Sequence, residues 1–269
     1  MNEETRLDQA HAAMQADLND DAARLAFYER LADTELFLLL KVEPKGEHLD
    51  PEVVELEAGE DEAPDTYILV FDREDRLAAF TDGPAPYAAL PGRVIAAMVA
   101  GSGLGLGVNL GAAPSSILIP AAAVDWLAQT LGPEPEEVEG QVTALEAPIG
   151  IADRVLVALS DKIVTAAGIA QYATLVRAVY DDGSRGLVLA FAGTNEGSEA
   201  ALARAAQEAM TFSDADERLD VAFFSPGDPA LARIDAVGFK LDIPTPTAPE
   251  TPEPKAPGSD PDKPPIIKW

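Results

Sequence analysis

The sequence predicts an α+β fold: two consecutive domains, each a small mixed sheet packed with helices, followed by a disordered Pro-rich tail. Three observations carry this expectation. Stretches with a 3.6-residue apolar period interleave with short apolar or alternating runs along the chain. Gly132-Pro133-Glu134-Pro135-Glu136-Glu137, a linker by composition, interrupts them near the middle. From Pro244 onward nine of the 22 prolines fall within 26 residues, in a segment with too little apolar surface to fold. The breaks divide the chain into 1–132, a linker 133–139, 140–243 and a tail 244–269. The 269 residues have room for one large core or two ordinary ones.

In chain order, Leu7, His11, Met14 and Leu18 are spaced as one face of a helix over Thr5 to Leu18. Asn19-Asp20-Asp21 ends it and offers N-cap oxygens to a second helix, with Ala22, Leu25, Tyr28 and Ala32 on its face. Leu36 to Val42 is a continuous apolar run, a buried strand or short helix. Glu55 to Asp65 holds six acids and no base and reads as a solvated loop. Tyr67 to Phe71 is apolar on both faces, as in a central strand, and Leu77 to Thr81 reads as its hairpin partner after a turn at Asp72 to Asp75.

Between Val94 and Val124 no residue is charged, in a chain where one in four is. A membrane span would look similar, but five glycines from Gly101 to Gly111, with Pro114 and Pro120, cannot share one stable helix. The run divides instead into a helix Leu90–Ala100, strands Leu104–Leu110 and Ser116–Ile119, and a helix Pro120–Leu131. Beyond the linker, Val142–Ala147 is extended and Ile151–Val164 helical, with Ile151, Val155, Leu159 and Lys162 on one stripe. Ala173–Tyr180 and Gly186–Ala192 flank a hairpin turn at Asp181 to Arg185. A helix Glu199–Thr211, a strand Leu219–Phe224, a short helix Pro229–Ala236 and a strand Phe239–Ile243 complete the second domain.

Composition excludes several functions. With no Cys there is no thiolate chemistry, disulfide or Cys-ligated zinc. Against 47 acids stand 19 bases, and a net charge of −28 opposes binding to nucleic acid or an anionic membrane. The glycine run follows a helix and enters a strand, the reverse of a dinucleotide fingerprint, and no Walker Lys follows it. His11 and His48 are too few and too separated for a metal site, and the acid clusters at 60–62 and 214–217 lack the pattern of a calcium loop. No Gly-x-Ser-x-Gly elbow occurs. The expectation is no catalytic residue, no cofactor and no metal. The N-terminus lacks a basic region before an apolar one, so a cytoplasmic location is expected.

The first domain resembles the N-terminal domain of the SseB family, the enhanced serine sensitivity proteins. The resemblance rests on Thr34 to Leu40 after two helices, Tyr67 to Phe71, Leu77 to Thr81, Leu90-Pro91-Gly92 and, above all, Gly105-Leu106-Gly107-Val108-Asn109-Leu110-Gly111. The second domain is similar to the family's C-terminal domain in Glu146-Ala147-Pro148, the central hairpin, Val221 to Phe224 and Gly238-Phe239. Leu110 stands where the family usually has Pro, and Asp72-Arg73 where it has a Thr-Ser pair. The resemblance implies two α+β domains in a cytoplasmic bacterial protein linked to serine tolerance, and it carries over no catalytic residue.

The reading that follows is a non-enzymatic module that binds an unknown protein partner. A small-molecule or amino-acid pocket near Asn109 is the alternative. The uncharged stretch, with Tyr87, Asn109 and Leu110, forms either core or an apolar patch where a partner docks without displacing charge. Ile266, Ile267 and Trp269 at the tail's end are either a linear motif or a frayed terminus.

Overall fold

Helix α1 (Arg6–Ala16) starts at Thr5, whose hydroxyl accepts from the Asp8 N–H while the Asp8 carboxylate accepts from the Thr5 N–H. The structure, a computed structural model, describes residues 4–44, 46, 48–57, 65–135, 140–164 and 166–244. Leu7, His11 and Met14 are buried along one stripe, but Leu18 lies beyond the helix and is exposed. Asp20 caps helix α2 (Asp21–Asp33), its side chain accepting from the Ala23 N–H. The buried face of α2 is Phe27, Leu31 and Ala32, rotated from the expected stripe, whose Ala22, Leu25 and Tyr28 are only half-buried.

The run at Leu36 is strand β1 (Glu35–Leu39). It pairs antiparallel with β3 (Asp65–Phe71), and β2 (Val53–Leu56) pairs with β3 further along, so β1 and β2 lie on the same strand one after the other. The expected loop is therefore corrected at its ends. Glu55 and Leu56 belong to β2 and Asp65 opens β3, because ladder pairing outweighs an acidic composition; residues 58–64 lie outside the described residues. Strand β3 is central, with Ile68 and Val70 buried on one face and Tyr67, Leu69 and Phe71 on the other.

Leu77 to Thr81 does not form a hairpin strand. Its residues lie in helix α3 (Glu74–Phe80), with two acids in the first turn and Arg76 reaching back four residues to Asp72. An edge strand that the sequence did not suggest, β4 (Tyr87–Pro91), pairs antiparallel with β1 and takes Leu90 and Pro91 from the expected helix. Leu90 precedes a proline, which disfavours helical backbone, and α4 (Gly92–Val99) begins only afterwards. Strand β5 (Leu104–Val108) runs parallel to β3, and β6 (Ile117–Ile119) pairs with β5. Helix α5 (Ala121–Leu131) follows, with Pro120 at its N-cap.

The first sheet thus runs β4-β1-β3-β5-β6, with β2 beside β3. Helices α1, α2, α4 and α5 supply the core on one face, around Leu36, Leu38, Ile68, Val70, Leu106 and Val108. On the other, the helix among the described residues that packs into the apolar cluster is the seven-residue α3, through Leu77.

The second sheet runs β10-β9-β8-β11, with β7 also on β8. Its elements are β7 (Val142–Glu146), α6 (Asp153–Val164), β8 (Tyr172–Tyr180), β9 (Arg185–Ala192), α7 (Glu199–Phe212), β10 (Leu219–Phe224), α8 (Pro229–Val237) and β11 (Phe239–Asp242). The β8–β9 hairpin turns where expected, and β10 lies parallel to β9 at the sheet's edge. Helices α6 and α7 pack on one face and α8 on the other. The architecture is α+β. Among the described residues no helix is long and apolar enough to cross a membrane.

Candidate functional site

The glycine-rich run is built for close packing. A Cβ on Gly105 would stand 2.5 Å from the Tyr67 ring and from the Ile119 carbonyl, and one on Gly107 2.8 Å from Leu110 and 3.0 Å from Leu69. The two glycines let the Tyr67 ring and the Leu110 side chain press onto β5 where any larger residue would separate them.

Asn109, just beyond, has a positive φ of 49° and is fully buried. Its Oδ1 accepts from the Asp72 N–H at 3.1 Å, and its Nδ2 donates to the Ser115 hydroxyl at 2.8 Å. Ser115 donates to Asp8, and Arg76 forks between Asp8 and Asp72, donating to the Asp72 Oδ1 at 2.8 Å. The Thr5 hydroxyl closes the circuit onto Asp72 at 2.6 Å. Burial acts to raise the Asp8 pKa, but hydrogen bonds from Arg76, Ser115 and Thr5 outweigh it and hold the carboxyl well below its ordinary range. This network ties the start of α1, the β3–α3 turn and the β5–β6 loop together. Asn109, expected among the candidate binding residues, is fully buried and fastens these segments inside the fold.

Tyr87 and Leu110 lie elsewhere, on the sheet face that α3 covers. Both are half-buried, as are Phe37 and Val54, and they pack with the buried Leu69, Phe71 and Leu77. The Tyr87 ring meets Phe37 edge-on at 5.2 Å, and the Glu74 carboxylate beside its hydroxyl pushes the phenol pKa up. Phe80 at 41% and Leu118 at 38% exposure extend the apolar surface to solvent. Leu118 pairs with Gly107 and so stands on this same face. The Glu74 carboxylate stands beside it at the Tyr87 hydroxyl, while the neighbouring Asp75 is paired with Arg73 at 2.9 Å. The uncharged stretch is accordingly both core and surface: Ile95, Val99, Leu106, Val108 and Val124 are buried, while Val94, Met98 and Leu118 are exposed.

The sheet with its glycine strand, the Asn109 loop and the closing helix form one continuous unit. Residues 7–126 match the SseB protein N-terminal domain. The match covers less than half of the chain and ends within α5, so the SseB-type domain includes the first sheet, the Asn109 network and the Tyr87 face. No curated protein and no solved structure matches the chain.

Where the SseB-type domain meets the second sheet, five ionisable side chains gather. Lys162 of α6 donates to Asp33 at 2.6 Å and Glu208 at 3.2 Å, and approaches Glu29 at 3.3 Å. Arg93 of α4 donates to both oxygens of Glu208, at 2.9 and 3.1 Å, and to Asp33. Burial raises the Glu29 pKa, only partly offset by Lys162. Asp33 is also desolvated, yet its bonds to Lys162 and Arg93 lower its pKa overall. Beside the charges, Phe212 of α7 is 2% exposed and belongs to the first domain's core, its ring 6.3 Å from Trp126. The sequence placed Lys162 on a buried stripe without indicating why, and it missed Asp8 and Arg76. Two acids four apart, Glu29 and Asp33, with a third and a Lys on distant helices carry no local signal.

His11 is buried against Phe27, and burial lowers its pKa despite Asp8. Among the described residues no group of three or more His, Asp or Glu side chains is placed to hold a metal ion. Ile266, Ile267 and Trp269 lie outside the described residues.

Proposed function

We propose that the chain is a two-domain SseB protein, its second half the family's C-terminal domain, acting in the cytoplasm as a non-catalytic protein-binding module linked to serine tolerance. The observation that carries the binding role is the apolar face of the first sheet. Phe80, Tyr87, Leu110 and Leu118 reach solvent there, in a chain of net charge −28. An apolar centre with the Glu74 carboxylate at its edge fits a partner whose apolar contact is flanked by a Lys or Arg. The non-catalytic reading is supported by what the perturbed carboxylates do. Asp8 and Asp33 have depressed pKa values because each is bound to cations that hold structure, the ordinary use of a buried ion pair.

The test places a photocrosslinking residue at position 80, at position 118, or at the exposed control Leu18. One protein captured at 80 and 118 but not at 18, and lost as salt rises, is expected. A Phe80→Asp, Leu118→Asp variant that folds should then fail to restore serine tolerance to cells lacking the protein. Full restoration by that variant, or equal capture at position 18, would overturn the reading.

A further inference from the structure

One edge of the first sheet is strand β4, and the ladder decides which way its backbone points. The Leu40 N–H donates to the Pro86 carbonyl and the Gly92 N–H to the Thr34 carbonyl, both at 2.9 Å. Antiparallel pairing alternates hydrogen-bonded with non-hydrogen-bonded residues. Ala88 and Leu90 therefore face β1, while Tyr87 and Ala89 turn their N–H and C=O groups outward. Pro91 offers neither group, since it has no N–H and, as the N-cap of α4, gives its carbonyl to the helix. Among the described residues no second strand pairs there, and the elements that pack closely on β4 are β1 and α4. Every residue from Asp65 to Pro135 is described, so both connections of β4 are in view, and Ala89 and Pro91 are exposed.

Charge and symmetry select the occupant. Exposed strand edges are ordinarily guarded by a charge, above all Lys, whereas residues 83–92 carry none in a chain where one residue in four is charged. A foreign strand drawn to a protein of net charge −28 would be basic, and β4 has no acid to receive it. A second copy of the chain makes the opposite demand. In a two-fold antiparallel pair each residue meets itself or a near neighbour of the same sequence, so a charge would face its own sign. Placing Tyr87 of one copy opposite Ala89 of the other satisfies every outward N–H and C=O on both strands. On the face that α3 covers, the row across the strands then reads Phe37, Ala89 and Tyr87 of the second copy, a small residue between two rings. We infer that two copies of the chain pair edge to edge through β4 and continue the first sheet across a two-fold axis. Glu35, across the ladder from Pro91, and Glu74, beside the Tyr87 hydroxyl, oppose the approach, so added salt tightens the dimer. The inference does not rest on the binding of a partner to the apolar face, which salt weakens and which reaches to Leu118 on β6, at the opposite edge of the sheet.

Sedimentation equilibrium of the full-length protein should show a dimer that tightens severalfold between about 0.05 and about 0.5 M salt. Ala89→Pro removes an outward N–H and leaves the bonds to β1. It should weaken association by roughly tenfold or more, while Ala89→Thr, which keeps that N–H, should not. Unchanged melting of both variants under dilute, monomeric conditions separates lost pairing from lost folding. In this register Ala88 faces Ala88 of the second copy as a non-hydrogen-bonded pair, with Cα atoms about 4.5 Å apart, within disulfide range. The chain has no Cys, so Ala88→Cys should give a disulfide-linked dimer on mild oxidation, and Leu18→Cys, at an exposed site away from β4, should not. The inference falls if the protein is monomeric at about 100 μM in high salt, or if Ala89→Pro associates as the parent does. It falls equally if Ala88→Cys cross-links no faster than Leu18→Cys, or if salt dissociates the dimer.

Discussion

Inside the SseB-type domain Arg76 sits between Asp8 and Asp72, each of their four carboxylate oxygens accepting at least one hydrogen bond, and all three side chains are no more than 2% exposed. At the junction Lys162 and Arg93 share three acids, Asp33 and Arg93 are about one-third open to water, and Glu29 stands 3.3 Å from the Lys162 ammonium, further than Asp33 or Glu208. The first cluster joins segments of one domain and is closed to solvent. The second joins two halves of the chain and contains one carboxylate that burial penalises. More ion pairs therefore do not make a firmer joint: the two pairs of Arg76 are a fixed joint, while the five at the junction form a joint whose strength varies with protonation.

Breaking the closed cluster should cost most. Arg76→Met leaves Asp8 and Asp72 buried without their cation, an expected loss of about 3–5 kcal/mol in urea unfolding. Arg76→Lys should recover little of it, because a single ammonium cannot fork to two carboxylates. A loss below about 1 kcal/mol would remove the contrast between the clusters.

Next in size is the apolar part of the junction. Phe212→Ala empties a site inside the first domain's core from a helix of the second half, at an expected cost of about 3–4 kcal/mol. Because the residue belongs to one half and its cavity to the other, the variant should unfold in two separate transitions by calorimetry. A single transition at lower temperature would mean that the charges alone keep the halves coupled.

The pH dependence separates the clusters in a different way. The Asp8 pKa is depressed in the fold, so its contribution is complete above the ordinary carboxylate value of 3.8 and is lost as pH falls through the folded value. Melting temperature followed from pH 5 downward should fall in the parent and fall less steeply in Asp8→Asn, which starts from a lower value. Parallel curves would show that Asp8 is not the group being titrated.

These clusters also mark how far the sequence could be read. Periodicity placed α1, β3, α5, the β8–β9 hairpin and α7, because each buries a face whose spacing is local. It misplaced Leu77 to Thr81, where one buried Leu satisfies either a strand or a helix, and the ion pair between Arg76 and Asp72 favours the helix. It missed β4, whose Tyr87-Ala88-Ala89 has too little side chain to show alternation and is held by pairing with β1. Of the candidate site residues, Tyr87 and Leu110 lie on one face, while the polar Asn109 between apolar neighbours reads in sequence as a binding group. What it binds is Asp72 and Ser115, and the first of these is 37 residues away. A lone Asn after a glycine strand looks the same in sequence whether its partner is a ligand or its own chain.

The smallest expected effect is the most discriminating. Lys162→Met leaves three acids facing Arg93 alone and should cost roughly 2 kcal/mol, less than Arg76→Met because Asp33 and Arg93 keep part of their solvation. Glu29→Gln should act in the opposite direction. Burial raises the Glu29 pKa above 4.5, and Asp33 beside it adds to the rise, so ionised Glu29 weakens the native state above its folded pKa. Removing that charge should stabilise the protein by up to about 1 kcal/mol near pH 7 to 8, with the gain shrinking as pH falls toward 4.5. Asp33 has the opposite shift and does not mimic this profile, since its contribution is lost only at lower pH. If Glu29→Gln destabilises the protein at pH 7, then Lys162 holds Glu29 as firmly as Arg76 holds Asp8, and the junction is a second fixed joint.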